Sequence, residues 1–238
     1  MVFSQDGFKA LFDESLRLLE SAAYKAFAHG LSVHREDLHS GTGLKKLVNS
    51  TETIPVDINQ LYATRIKSIY SQILEYATRL QSEFNLEEDT IETIRNILIA
   101  DRMLVNIVKE MQPLHDNIVL FMKSGNPTIM KEYNLIRRRI LRVIREIHRA
   151  GESEYPLRHI RKIEKQREKA VRLDALLSGK INQLLLEGKI TNVMATSLIN
   201  DSEQASQIIH NLIDIATLLY YPKDRLVSAM EDESKAPA

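Results

Sequence analysis

Residues 58–77, INQLYATRIKSIYSQILEYA, place apolar side chains at Ile58, Leu61, Ile66, Ile69, Ile73, Leu74 and Ala77. Steps of three and four residues dominate this spacing. That is the pattern of a helix with one face on a core, not of a half-buried strand, whose side chains alternate. Asp57, just before the stretch, offers an N-cap oxygen, and the helix is predicted to run to about Phe84.

The same spacing recurs on both sides. Upstream, a helix is predicted from about Phe8 to Phe27, with Leu11, Leu16, Leu18, Leu19, Ala22 and Ala23 among its apolar positions and Gly30 as its stop. The segment between the two, residues 32–56, holds His34, His39, Gly41, Gly43 and Pro55 and reads as the longest irregular stretch. Downstream, a third helix is predicted over about 87–122, where Glu88, Asp89 and Glu92 suit the positive end of the helix dipole. A fourth starts at Pro127 or Thr128 and reaches His148, a fifth spans about 156–186, and a sixth runs from about Ile190 to Tyr220, ahead of Pro222.

Six helices without alternating runs predict an all-α fold. The break at Ser124-Gly125-Asn126-Pro127 splits them three and three. The predicted architecture is therefore two antiparallel three-helix bundles, residues 1–125 including the loop 32–56 and residues 126–222, followed by a disordered tail over 223–238. Ile99-Ala100-Asp101 and Ile199-Asn200-Asp201, early in the third helix of each half, make a half-to-half repeat worth testing.

The 238 residues, 44% of them hydrophobic, suffice for one sizeable core or two smaller ones. With 32 basic and 32 acidic side chains the chain has no overall bias toward nucleic acid or membrane, so any such bias has to be local. The absence of cysteine excludes disulfides, thiolate zinc sites and cysteine nucleophiles, and fits a reducing cytosol. No stretch approaches the roughly 18 apolar residues of a spanning helix, and the first residues lack the layout of a secretion signal. The chain as it stands is expected to be soluble and cytoplasmic.

Two places could carry chemistry. His34, Glu36, Asp37 and His39 offer nitrogen and oxygen donors to a divalent metal, although capping or solvation is the commoner reason for such loop residues. His210 and Asp214 share one face of the sixth helix, with no third group to complete a site. Tyr62, Tyr70, Tyr76, Tyr220 and Tyr221 read as packing residues rather than a platform for bases. No phosphate-binding glycine loop, nucleophile elbow or His-Glu-x-x-His is present, so neither an enzyme nor a cofactor is expected.

A basic region is more pronounced. Residues 131–172 hold 14 Lys or Arg against 6 Glu. Arg138, Arg142, Arg145 and Arg149 recur at three- and four-residue spacing and predict one cationic stripe, suited to phosphate oxygens, anionic headgroups or an acidic protein face. A nucleic-acid partner is not expected, because no recognition module accompanies the stripe.

Several segments resemble the PhoU-like cytoplasmic domain at the C-terminal end of bacterial sodium/phosphate cotransporters. They are residues 28–37, AHGLSVHRED; Leu61-Tyr62 with residues 73–79, ILEYATR; and residues 197–201, SLIND. The resemblance covers most of the chain and implies two three-helix bundles on the cytoplasmic side of the inner membrane, regulating phosphate transport by docking to the transporter's membrane domain, fused or separate. A homodimer is compatible with it. Two alternatives are a free-standing PhoU-like adaptor of a phosphate ABC transporter or sensor kinase, and a metal-dependent phosphohydrolase using His34 and His39. PhoU proteins carry Glu/Asp-x-x-x-Asp metal motifs on the third helix of each bundle. The matching stretches here, Asp101-x-x-x-Val105 and Asp201-x-x-x-Ala205, lack the second carboxylate, so Asp101 and Asp201 join His34, Glu36, Asp37 and His39 as candidate donors while no metal is expected.

Overall fold

Asn126 stands before a proline, and its side-chain oxygen accepts from the backbone N–H of Thr128 at 2.9 Å and of Ile129 at 3.2 Å. Two of the orphan donors at a helix start are thereby satisfied, and Pro127 has no N–H to lose. The break predicted at this point is real. In the computed structural model, which describes the backbone of residues 2–50, 52–172 and 179–234 and the side chains of 7–50, 52–170 and 179–220, the described residues are helical or irregular and contain no strand. The chain is all-α.

Helix α1 joins Val2–Arg17, a π-helical stretch Leu18–Ala23 and Tyr24–Gly30. Two short helices follow, α2 over Arg35–His39 and α3 over Leu44–Val48. Helix α4 comprises Ile58–Leu61, a second π-helical stretch Tyr62–Ile66 and Lys67–Glu83, and α5 spans Glu88–Met122. Then come α6, Pro127–Glu152; α7, Pro156–Arg172; α8, Lys180–Leu186; and α9, Asn192–Ser234.

Three boundaries differ from the sequence-based expectation. The segment 32–56 is partly helical, because Leu38 and Val48 are buried and give α2 and α3 an apolar side to pack. Helix α1 ends at Gly30 as expected, but not through a left-handed turn at that residue; the positive φ, 51°, belongs to Ser32. A Cβ at Gly30 would meet Met111 Cε at 2.8 Å and Ile58 Cδ1 at 3.0 Å, two side-chain ends that would have to shift to admit it. The helix predicted over 156–186 is divided, because Gly179 takes φ +69°, which no right-handed helix can include. Finally, α9 does not stop at Tyr220 but passes Pro222 and reaches Ser234, into the stretch 223–238 expected to be disordered; residues 235–238 lie outside the described residues. A proline removes one helical hydrogen bond, and it need not end a helix.

Pro113 illustrates the same point inside α5. It faces solvent, as does Lys109, whose carbonyl it leaves without a donor and which water can therefore serve. Helix α1 packs on α4 and α5, while α6 packs on α7 and α9, and the two long helices α5 and α9 lie against each other. Helices α2 and α3 sit on α6. One buried apolar cluster runs through both halves, from Leu11 and Phe27 through Leu104 and Ile118 to Ile140, Ile208 and Leu219.

Candidate functional site

The segment from Leu31 to Val48 crosses α6 with Leu31, Val33, Leu38 and Val48 buried, and two arginines of α6 hold it by its backbone as well. Arg137 is fully buried. Its Nε donates to Leu31 O at 2.8 Å, its Nη1 to Val48 O at 2.9 Å and Asn134 Oδ1 at 2.8 Å, and its Nη2 to Ser32 O at 3.0 Å. These acceptors are neutral, and burial lowers the guanidinium's pKa to about 10. One turn pair further on, Arg145 donates from Nη1 to Thr42 O at 2.8 Å and from Nη2 to Asp37 O at 2.7 Å.

Arg145 therefore does not belong to the surface stripe predicted for partner or membrane binding. It is 7% exposed, and the segment 37–42 folds over its guanidinium. Of the other three, Arg138 is half-buried, Arg142 is exposed, and Arg149 is exposed and paired with Glu146 at 2.5 Å.

By holding Asp37 O, Arg145 fixes the end of α2, and this brings His39 onto α6. His39 Nδ1 lies 2.5 Å from His148 Nε2, and the ring centroids are 3.9 Å apart in a T-shaped arrangement. The same Nε2 is 3.2 Å from Glu152 Oε1, one turn along α6. His39 and Glu152 are exposed, whereas His148 is only 9% exposed and meets the edge of Tyr24. Burial first, and the neighbouring His39 second, lower the pKa of His148 against the opposing pull of Glu152. Its Nδ1 is buried without a hydrogen-bond partner. Tyr24 and Tyr220, beneath, have their hydroxyl pKa values raised chiefly by burial.

The remaining predicted donors do not converge. His34 is exposed with its ring edge-on to His29 at 6.4 Å, and among the described residues neither it nor Glu36 or Asp37 joins a group of three ligands. Asp101 and Asp201 are buried in separate places: Asp101 Oδ2 is 2.7 Å from Ser15 Oγ, while Asp201 Oδ2 accepts from Tyr133 OH at 2.5 Å and from Asn117 Nδ2 at 3.0 Å. His210 and Asp214 face different partners, Ser206 O at 2.7 Å and Arg167 Nη2 at 2.7 Å. Sequence reasoning missed His148 and Glu152. Their i, i+4 spacing on a predicted helix was the available signal.

A second feature lies on the outer side of α6 and α7. A shallow groove is lined by Arg142, Glu146, Lys162, Lys165 and Gln166, and an adjoining recess by Tyr155, Leu157, Arg158, Arg161 and the same two lysines. Arg142, Arg158, Arg161, Lys162 and Lys165 are all exposed. Glu146 is the acid among them. Burial works to raise its pKa, but hydrogen bonds from His159 and Arg149 and the charge of Lys162 hold it below the usual range. It therefore stays ionised and engaged, and the other charged residues lining the groove and the recess are all basic.

No family model matches this sequence, and no curated protein or solved structure was found to be similar to it. Among the described residues, no helix is long and apolar enough to cross a membrane.

Proposed function

We propose that the chain is a PhoU-like docking domain that regulates a sodium-dependent phosphate transporter from the cytoplasmic side of the bacterial inner membrane, without catalysing a reaction. The observation that carries the docking half of this reading is the cationic α6–α7 face, with five exposed Lys or Arg on two adjacent helices and its acid already engaged. Clustered cations with an exposed tyrosine at the rim suit an anionic leaflet beside the transporter. Tyr155 is 67% exposed, and an aromatic ring with a polar end favours such an interface.

The architectural half is supported by the packing. The packing of α1 on α4 and α5, of α6 on α7 and α9, and of α5 on α9 supports a reading as two three-helix sets with their third helices side by side. Asp101 on α5 meets a hydroxyl from α1, and Asp201 on α9 meets one from α6. Each Ile-x-Asp segment carries a hydrogen bond from the third helix of its half to the first, and Asp201 accepts from Asn117 of α5 as well. The tie from third helix to first is what a duplicated three-helix unit requires. The transporter itself enters through the sequence resemblance.

Reversing Arg142, Lys162 and Lys165 to Glu is expected to abolish flotation of the chain with vesicles rich in anionic lipid. Each cation near such a leaflet contributes about 1 kcal/mol, so the loss is roughly a hundredfold or more. The melting temperature should stay put, because all three side chains are exposed. Undiminished flotation at physiological salt overturns the role given to this face. Arg145 is unsuitable for the test, since its replacement would free the segment 37–42.

A further inference from the structure

We propose that His39, His148 and Glu152 form a binding site for one divalent transition-metal ion of the zinc type, which fastens α2 to the C-terminal turns of α6. One donor atom from each of His39, His148 and Glu152, a ring nitrogen or a carboxylate oxygen, lies within 4.8 Å of the other two, the one such group among the described residues. Two imidazoles and a carboxylate form a donor set that takes zinc with a fourth position left open. Calcium and magnesium prefer all-oxygen surroundings. The open position here faces solvent, because His39 and Glu152 are exposed.

Hydrogen bonding alone does not account for the cluster. His148 Nε2 meets His39 Nδ1 on one side and Glu152 Oε1 on another, at 2.5 Å and 3.2 Å. A proton on Nε2 can point at only one of them, and without that proton the Nε2 lone pair faces a carboxylate oxygen. A cation at the centre engages all three lone pairs at once. The other nitrogen of His148 is buried and has no partner in the protein, so His39 and Glu152 are the polar groups this buried ring has to answer to.

The spacing requires little adjustment. A tetrahedral ion with bonds of about 2.1 Å spreads its donors to roughly 3.4 Å. The pair from α6 already stands at 3.2 Å. His39 has to open by just under about 1 Å to reach that spread, which an exposed ring at the end of a short helix can do. The rest of the segment is prearranged, because Arg145 holds Asp37 O and Thr42 O on either side of His39. The site is independent of the α6–α7 face and of any transporter, so it stands or falls separately from the docking reading.

The test is titration of the full chain with Zn2+ and with Co2+ after chelator treatment, followed by calorimetry and by the visible absorbance of tetrahedral cobalt. One equivalent is expected to bind with tetrahedral cobalt bands and to protect the amides of residues 35–42 from hydrogen exchange. His39→Ala and Glu152→Gln should each weaken binding at least about tenfold, since even the loss of an outer-sphere partner costs that much. Both positions are exposed, so the variants should melt like the native chain. His34→Ala, in the same segment, should bind normally. The proposal is overturned if no stoichiometric ion binds, if His39→Ala and Glu152→Gln bind unchanged, or if His34→Ala is the damaging change.

Discussion

Arg137→Met is expected to lower the stability of the chain by about 4 kcal/mol, because Leu31 O, Ser32 O and Val48 O would each be left buried without a donor, at about 1–3 kcal/mol apiece less what relaxation recovers. In a chain of this size that corresponds to a fall in melting temperature of roughly 10 °C. Methionine keeps most of the side chain's length and apolar bulk, so the loss reports the guanidinium and not a cavity. The effect should be local first, with the amides of residues 31–48 exchanging faster than those of α5 or α6. Arg138→Met, at the half-buried neighbour, should cost less than about 0.5 kcal/mol. Denaturant titration of the two variants checks the difference, and equal stabilities would remove the clamp from the explanation.

Asp101→Asn is expected to stabilise the chain at pH 8 by roughly 2–4 kcal/mol and to flatten its stability between pH 4 and 7. Burial raises the pKa of this carboxyl to about 7, against a hydrogen bond from Ser15 that works to lower it. The hydrogen bonding agrees. Ser15 Oγ lies 2.7 Å from Asp101 Oδ2 and 3.2 Å from Leu11 O, and with one hydroxyl proton it serves both contacts only when the carboxyl carries a proton of its own. An unfolded carboxyl ionises near pH 3.9, so between that value and about 7 the folded state holds a proton that the unfolded state has lost, and each unit of rising pH removes about 1.4 kcal/mol. The stabilisation is complete below about pH 4 and gone above about pH 7. Asparagine cannot ionise, and its amide can donate to Ser15 as the protonated acid does. Thermal melts at several pH values read the difference; a native chain whose stability is level across this range would contradict the neutral buried acid. Asp201, with two donors on its carboxylate, should show the same trend more weakly.

The helical class and the Asn126–Pro127 break were legible in the sequence because they rest on local rules, apolar spacing and capping. The fate of the arginines was not, although part of it was within reach. Arg137, Leu141, Ile144 and His148 follow one another at steps of four, three and four residues, which places Arg137 and His148 on the apolar face of α6. Arg145 sits at the edge of that face, and only the fold of residues 37–42 over it decides that it is covered. His39 and His148 are 109 residues apart, so no spacing rule joins them. Gly179 and Gly188 were unremarkable as letters, yet the first divides a predicted helix by taking a positive φ. The continuation of α9 past Pro222 escaped because a proline is a stop signal in a sequence, while in a helix it is one missing hydrogen bond.

The docking reading is tested most directly by sodium-dependent phosphate uptake in cells of the source organism that carry Arg142→Glu, Lys162→Glu and Lys165→Glu together in place of the native residues. The expected result is an uptake rate that departs from the native rate and no longer adjusts to phosphate supply, with the protein present at its normal level and melting at its normal temperature. Uptake that matches the native cells under both phosphate-rich and phosphate-poor growth would contradict it.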